Sequence, residues 1–302
     1  MGLTPGRSWQ NVLPFCFSLF LTIPLAVLAS KSPKAQEKSP PAPLGADSPF
    51  FLIDLSRHVN LSLDDSQMND PGNNLSDLLA GMPTDAIPVK FLKKIPFRQD
   101  GIVLVGPLRT GTAEHGMVSL PAKVEGIPIG RRAQRLHFLH SMHYGSNAHV
   151  RRVGTYVVHF ADGSRKEIPI RFGEDVLDWW GRTSDMFPPA GSPDVFDGGG
   201  RSAQGSSRDV ETSSPALINV VWRGYNSAAK THGFDHIRLF LKTWKNPDPE
   251  KEIVEVNMLA GEQGPGIMSP APFLVALTGE LDVEFHLPAE KAPPSLKRRP
   301  SQ

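Results

Sequence analysis

The 302-residue chain has a single cysteine, Cys16. It sits inside an apolar run near the N-terminus, so the rest of the sequence offers no disulfide, no thiolate metal ligand and no cysteine nucleophile. A charge bias is missing too: 32 Lys and Arg face 31 Asp and Glu, a formal charge of +1. That balance gives no electrostatic reason to expect a nucleic acid partner. Helical periodicity is scarce. Only Leu75 to Ala80 and Asp175 to Trp180 suggest a turn or two of helix. With 27 Gly and 29 Pro, well above ordinary usage, the composition excludes a helical bundle or coiled coil. It leaves β or α/β architecture with long irregular loops. There is one long apolar run and no second, so nothing else in the chain reads as a membrane span.

That run, Val12 to Leu28, follows a start carrying Arg7 and ends at Val27-Leu28-Ala29 before Ser30. A basic start, an apolar middle and a small-residue exit describe a secretory signal peptide. Pro14 and Pro24 interrupt the run, and it falls short of the roughly 20 residues of a span. Residues 1–29 are therefore expected to be a signal peptide, with no membrane span after cleavage, and the protein to be secreted or placed in the periplasm or cell envelope. Residues 30–48 are rich in Pro, Lys and Ser and read as a linker. Residues 287–302, LPAEKAPPSLKRRPSQ, read as a basic disordered tail. Residues 49–286 remain as one folded domain, large enough to bury a core without cystines.

Within that domain the apolar period is two. Phe50 to Leu55 and Ile102 to Val105 are short apolar strands, and Ile87, Val89 and Phe91 alternate with Pro88, Lys90 and Leu92. Leu136, Phe138, His140 and Met142 share one face of a strand, with Arg135, His137, Ser141 and His143 mainly on the other. Gly154, Tyr156, Val158 and Phe160 lead into Asp162-Gly163, then Ile168, Ile170 and Phe172, which is a β-hairpin with a strong turn signal. Ile218 to Trp222, Ile237 to Leu241, Glu252 to Leu259 and Phe273 to Thr278 complete about ten strands. These predict an antiparallel β-sandwich or barrel. Two long loops stand out, Ser56 to Ala86 and a flexible insertion at 181–216 rich in Gly, Ser and Asp.

Several stretches resemble a known module type. They are Lys123-Val-Glu-Gly-Ile-Pro-Ile-Gly130, Leu136-His-Phe-Leu-His140, Val153 to Gly163, Ile168-Pro169-Ile170, Gly173 to Trp180, and Thr243-Trp-Lys-Asn-Pro247. Together they are similar to the galactose-binding-like, jelly-roll modules of exported bacterial, planctomycete-type proteins, over nearly all of residues 50–280. The resemblance implies an all-β, antiparallel jelly-roll β-sandwich with long loops and disordered N- and C-terminal tails. It also implies a non-catalytic role, with carbohydrate binding the common one.

Candidate site residues follow from chemistry. Asp178-Trp179-Trp180 lies at a strand end beside the long insertion: indole stacks on the CH face of a sugar and a carboxylate accepts its hydroxyl bonds. Trp244 shares a face with charged residues and is a further surface candidate, whereas Trp222, in line with Ile218 and Val220, reads as core. His137, His140 and His143 do not converge, because on a strand His140 points away from the other two. His140 is expected in the core and the others at the surface, and a zinc site would need a donor from another strand. The oxygen-rich loop Asp64 to Asn74 suits either a structural calcium ion or ordinary turn chemistry. No G-x-S-x-G elbow, H-E-x-x-H helix or phosphate loop is present, and Glu174 with Asp175 or Asp178 forms only a nominal carboxylate pair.

The sequence therefore predicts an exported ligand-binding module, not an enzyme and without a cofactor. Its expected site comprises Asp178, Trp179, Trp180 and Trp244, and its partner is a carbohydrate or another cell-envelope component. The alternatives are a structural or protein-interaction module of the envelope and a glycoside hydrolase-type enzyme.

Overall fold

A computed structural model describes residues 44–45, 48–82, 88–107, 109–112, 114–145, 152–182, 219–261 and 268–281. The expected signal peptide, nearly all of the linker, all but two residues of the 181–216 insertion, and the C-terminal tail lie outside the described residues.

Fifteen strands are described. The first six are short: β1 (Phe50–Leu52), β2 (Val89–Leu92), β3 (Ile95–Arg98), β4 (Val103–Leu104), β5 (Thr110–Thr112) and β6 (Gly116–Val118). Longer ones follow: β7 (Lys123–Arg131), β8 (Arg135–His143), β9 (Arg152–Phe160) and β10 (Arg165–Arg171). The last are β11 (Trp180–Gly181), β12 (Val220–Gly224), β13 (His236–Lys245), β14 (Ile253–Ala260) and β15 (Ala271–Glu280). The one α-helix among the described residues, α1, is Ser227–Thr231. No helix among them is long and apolar enough to cross a membrane.

One sheet runs β1-β15-β8-β13-β11, with β4 on β15 and β12 on β13; the second runs β10-β9-β14-β7. All these pairings are antiparallel. If β1, β7, β8, β9, β10, β13, β14 and β15 are ranked first to eighth, the first sheet reads first-eighth-third-sixth and the second reads second-seventh-fourth-fifth. That is the double Greek key of a jelly roll, so the all-β sandwich is what the chain forms.

Local chemistry explains the best-defined hairpin. Between β9 and β10, Gly163 takes φ 81°, which costs a glycine little. Asp162 Oδ1 accepts from the Ser164 amide at 2.9 Å, and the register that follows sets Ile168 opposite Tyr156 and Ile170 opposite Gly154. The β2–β3 hairpin turns differently. Lys93 and Lys94 both have positive φ, 48° and 68°, where a two-residue turn more often carries Asn-Gly.

The space between the two sheets holds one apolar core, in which the Phe138 and Tyr156 rings stack at 4.1 Å among Leu136, Val158, Ile168 and Phe240. A second core lies on the other face of the larger sheet. There Leu139, Ile237, Leu239 and Phe273 are covered by loop residues Leu63, Met68, Leu75 and Leu78, by Phe97 of β3, and by Trp222. A layer of mostly irregular chain thus roofs the sheet. Its backbone groups are satisfied locally, as in Leu75 N–H to Leu63 O at 2.7 Å and Asn60 N–H to Ile102 O at 3.0 Å.

This roof corrects several expectations. β8 is buried on both faces, so His137 and His143, expected at the surface, are buried as His140 is. Strict alternation marks a half-buried strand only when one face meets water. Asp175 to Trp180 forms turns and bridges rather than helix, while Ser76–Leu79 is a 3-10 turn within the Leu75 to Ala80 stretch. The first strand stops at Leu52, short of Leu55. Trp222 is in the core, as its face suggested.

Candidate functional site

Asp178 is half-buried, and its carboxylate is engaged by the backbone. Oδ2 accepts from the Gly145 amide at 2.8 Å and Oδ1 from the Trp180 amide at 2.9 Å. Burial pushes its carboxyl up, against the opposing effect of those amides and of Arg238. Both oxygens latch the turn after β8 to the start of β11, so the carboxylate has a structural task in the absence of any ligand. Trp179 is 1% exposed. Its ring meets Phe273 edge-on at 5.6 Å and His143 at 5.1 Å, which leaves no indole face for a ligand to stack on. Trp244 is partly buried against the inter-sheet core.

Trp180 is the half-open member of the pair. Its Nε1–H donates to Asn73 Oδ1 at 3.1 Å, and its ring stacks on His232 at 5.1 Å and 21° and lies tilted against Phe234 at 5.2 Å. The structure therefore separates the two tryptophans, Trp179 inside the second core and Trp180, on β11, packed against its margin, and places Trp244 on β13.

What Trp180 leans on is a polar knot of three loops. The first is the chain from Gln67 to Asn73, which closes on itself: Gln67 N–H reaches Asn73 O at 2.8 Å and Asn73 N–H reaches Asp70 O at 3.0 Å. Inside it, Met68 and Asn69 both adopt left-handed φ, 58° and 57°, an unusual state for two consecutive non-glycine residues. From below, His143 Nε2–H donates to Gln67 Oε1 at 2.6 Å. His143 is buried, and that burial pushes its pKa down to about 3.

The second loop joins β5 to β6 and carries His115, whose carbonyl accepts from Asn69 Nδ2 at 3.4 Å. The third is the end of α1. Asn226 caps this helix by accepting from Ala229 N–H at 2.7 Å, and His232 follows its last residue. Gly72, at φ 78°, lets the first loop lie against α1, because a Cβ there would collide with the Ser227 hydroxyl.

The three loops bring Asp70, His115 and His232 together, with donor atoms all within 4.8 Å of one another. Asp70 is 7% exposed. Its Oδ1 lies 3.5 Å from His115 Nε2 and its Oδ2 lies 3.6 Å from His232 Nε2. This is a set of donors that could hold a metal ion. Other oxygens of the expected calcium loop serve turns: Asp65 Oδ2 accepts from Ser62 N–H and Asn74 Oδ1 from Ser76 N–H. The half-buried Tyr144 hydroxyl, near Asp178 and Asp70, is pushed up to about 12, by burial first and then by those carboxylates.

Met68 and Asn69 also line a groove of ≈ 230 Å³ on the roof, with Asn60, Ser66, Val118 and Leu120 among its walls. None of Asp178, Trp179, Trp180 and Trp244 lines it. The groove and the knot escaped the sequence reading because their members come from three loops, and no motif spacing links them. The one local signal was the oxygen-rich loop, which contains Asp70 and Asn69.

No family model matches the chain, and no curated protein or solved structure is significantly similar to it.

Proposed function

We propose that the chain is an exported, non-catalytic ligand-binding module of jelly-roll fold, and that its ligand is a neutral carbohydrate. The observation that carries this reading is the groove. Its described lining combines amide and hydroxyl side chains, Asn60, Ser66, Asn69 and Ser119, with apolar ones such as Leu104 and Leu120, and includes no charged residue. A sugar presents this same mixture of hydroxyls and CH faces. An uncharged wall gives no anchor to a phosphate or a carboxylate. The volume is below the roughly 300–1,000 Å³ typical of drug-sized ligands, which suits a single ring or a chain end. The described lining holds no carboxylate or imidazole to act as acid or base, which a hydrolase would need converging there.

The test is a glycan array probed with the full chain, followed by calorimetry on any sugar that binds. Ser119 is exposed, so Ser119→Trp fills the groove from its rim without replacing a core residue. It should weaken binding by about thirtyfold or more, a loss of about 2 kcal/mol, at unchanged melting temperature. An array with no binder, or a binder indifferent to Ser119→Trp, would overturn the reading.

A further inference from the structure

Three features of the roof have no role in the groove: the Asp70 carboxylate shared between two imidazoles, the buried nitrogen of His115, and the stacking of Trp180 on His232. We propose that Asp70, His115 and His232 form a binding site for a divalent transition ion of the zinc type, independent of any sugar site.

Distance makes the first argument. At 3.5 Å and 3.6 Å, the carboxylate–imidazole contacts exceed the 2.7–3.2 Å of a good N–H···O hydrogen bond. Consistently, His115 Nε2 is buried and makes no hydrogen bond, although an acceptor lies just beyond reach. Donors around a tetrahedral zinc, with bonds of about 2.0–2.1 Å, stand about 3.4 Å from one another. The contacts are too long for hydrogen bonds and close to the spacing of two ligands on one ion.

The donor chemistry makes the second. Two imidazole nitrogens and one carboxylate suit zinc and its first-row neighbours, whereas calcium takes an all-oxygen shell. The site also shows support around its ligands. His232 is held flat against Trp180, and the His115 and His232 rings stand edge to face at 6.1 Å and 86°. Asp70 is fixed by the closed Gln67–Asn73 loop, whose two left-handed residues immediately precede it. Backbone strain of this kind persists where the surroundings hold it in place. Glu114 Oε2 lies 3.8 Å from His115 Nε2 on a side chain 71% exposed, within reach as a fourth, exchangeable donor. The ordinary alternative, an aspartate paired with one protonated histidine, does not account for both imidazoles turning Nε2 toward the same carboxylate.

The experiment uses the full chain after removal of bound metal with a chelator. Zinc chloride is titrated calorimetrically, with calcium chloride as the comparison, and cobalt(II) follows as a spectroscopic probe. One zinc per chain is expected to bind with micromolar or tighter affinity, and calcium is not. Cobalt should give the visible absorption of a tetrahedral site and quench tryptophan fluorescence. His232→Gln changes an exposed residue and removes a direct ligand, so zinc affinity should fall by more than the roughly tenfold to hundredfold that follows loss of an outer-shell partner, with the metal-free melting temperature retained. Asp70→Asn should do the same. Trp180→Phe should keep the stoichiometry while losing most of the quench. Absence of zinc binding at millimolar concentration would overturn the proposal, as would zinc binding that His232→Gln and Asp70→Asn leave intact. The readouts need no sugar, so failure of the carbohydrate reading would leave this result standing, and the reverse.

Discussion

Acidification is a sharp perturbation of this fold because two of the three histidines of β8, His140 and His143, face different cores. His140 shares a hydrogen bond of 3.2 Å with the Tyr156 hydroxyl, and burial first, aided by Lys242 and opposed by Asp175, pushes it down to about 4. His143, on the roof side, is pushed down to about 3 by burial. In the unfolded chain both return to an ordinary value near 6.5. Between pH 6.5 and pH 4 the unfolded chain therefore binds more protons than the folded one, and stability falls as pH falls. The contribution is fully present above about pH 6.5. By pH 5 each histidine has lost about 1.5 pH units' worth, or about 2 kcal/mol, and the pair about 4 kcal/mol. That is a large share of a typical total of 5–15 kcal/mol. His137, also lowered by burial despite Glu280, acts in the same direction. Asp178, raised by burial, acts in the opposite direction at lower pH, so the histidine effect must be isolated. Urea unfolding at pH 7.5 and pH 5.0 should be compared between the wild-type chain and His143→Gln. The variant should lose about 2 kcal/mol less across that interval. Equal losses in the two proteins, or an NMR titration of His140 or His143 in the folded state with a midpoint near pH 6.5, would refute the reasoning.

Three further outcomes follow from the packing. Trp179→Ala should cost about 3–5 kcal/mol by opening a cavity between Phe273 and His143, while Trp180→Ala, at the edge of the roof, should cost less than half as much; equal losses in urea unfolding would contradict the placement. Asp178→Ala leaves the Gly145 and Trp180 amides without their acceptor and should lower stability by about 2 kcal/mol or more with no sugar present; a neutral result would leave the carboxylate free for a ligand role. Lys94→Gly relieves a left-handed φ of 68° and should raise the midpoint slightly, by about 0.5 kcal/mol once the added freedom of the unfolded chain is subtracted; a clear loss would show that the lysine side chain supports the hairpin.

The sequence alone determined the elements whose cause is local. Alternation over Leu136 to Met142, the Asp162-Gly163 turn with its flanking strands, and the apolar runs at Ile237 and Phe273 are short-range patterns, and each is a strand or hairpin in the folded chain. Residue chemistry also marked Trp222 as core. Tertiary structure decided which faces meet water. His137, His143 and Trp179 are buried because irregular chain from residues 56–82 and the β2–β3 hairpin folds over the larger sheet, and no period within β8 reports that covering. The same covering gave Asp178 to the backbone and left Trp180 half open. Asp70, His115 and His232 meet because a closed loop, a hairpin turn and the end of a five-residue helix dock on one another. Such convergence depends on long-range packing, which residue spacing along the chain does not encode.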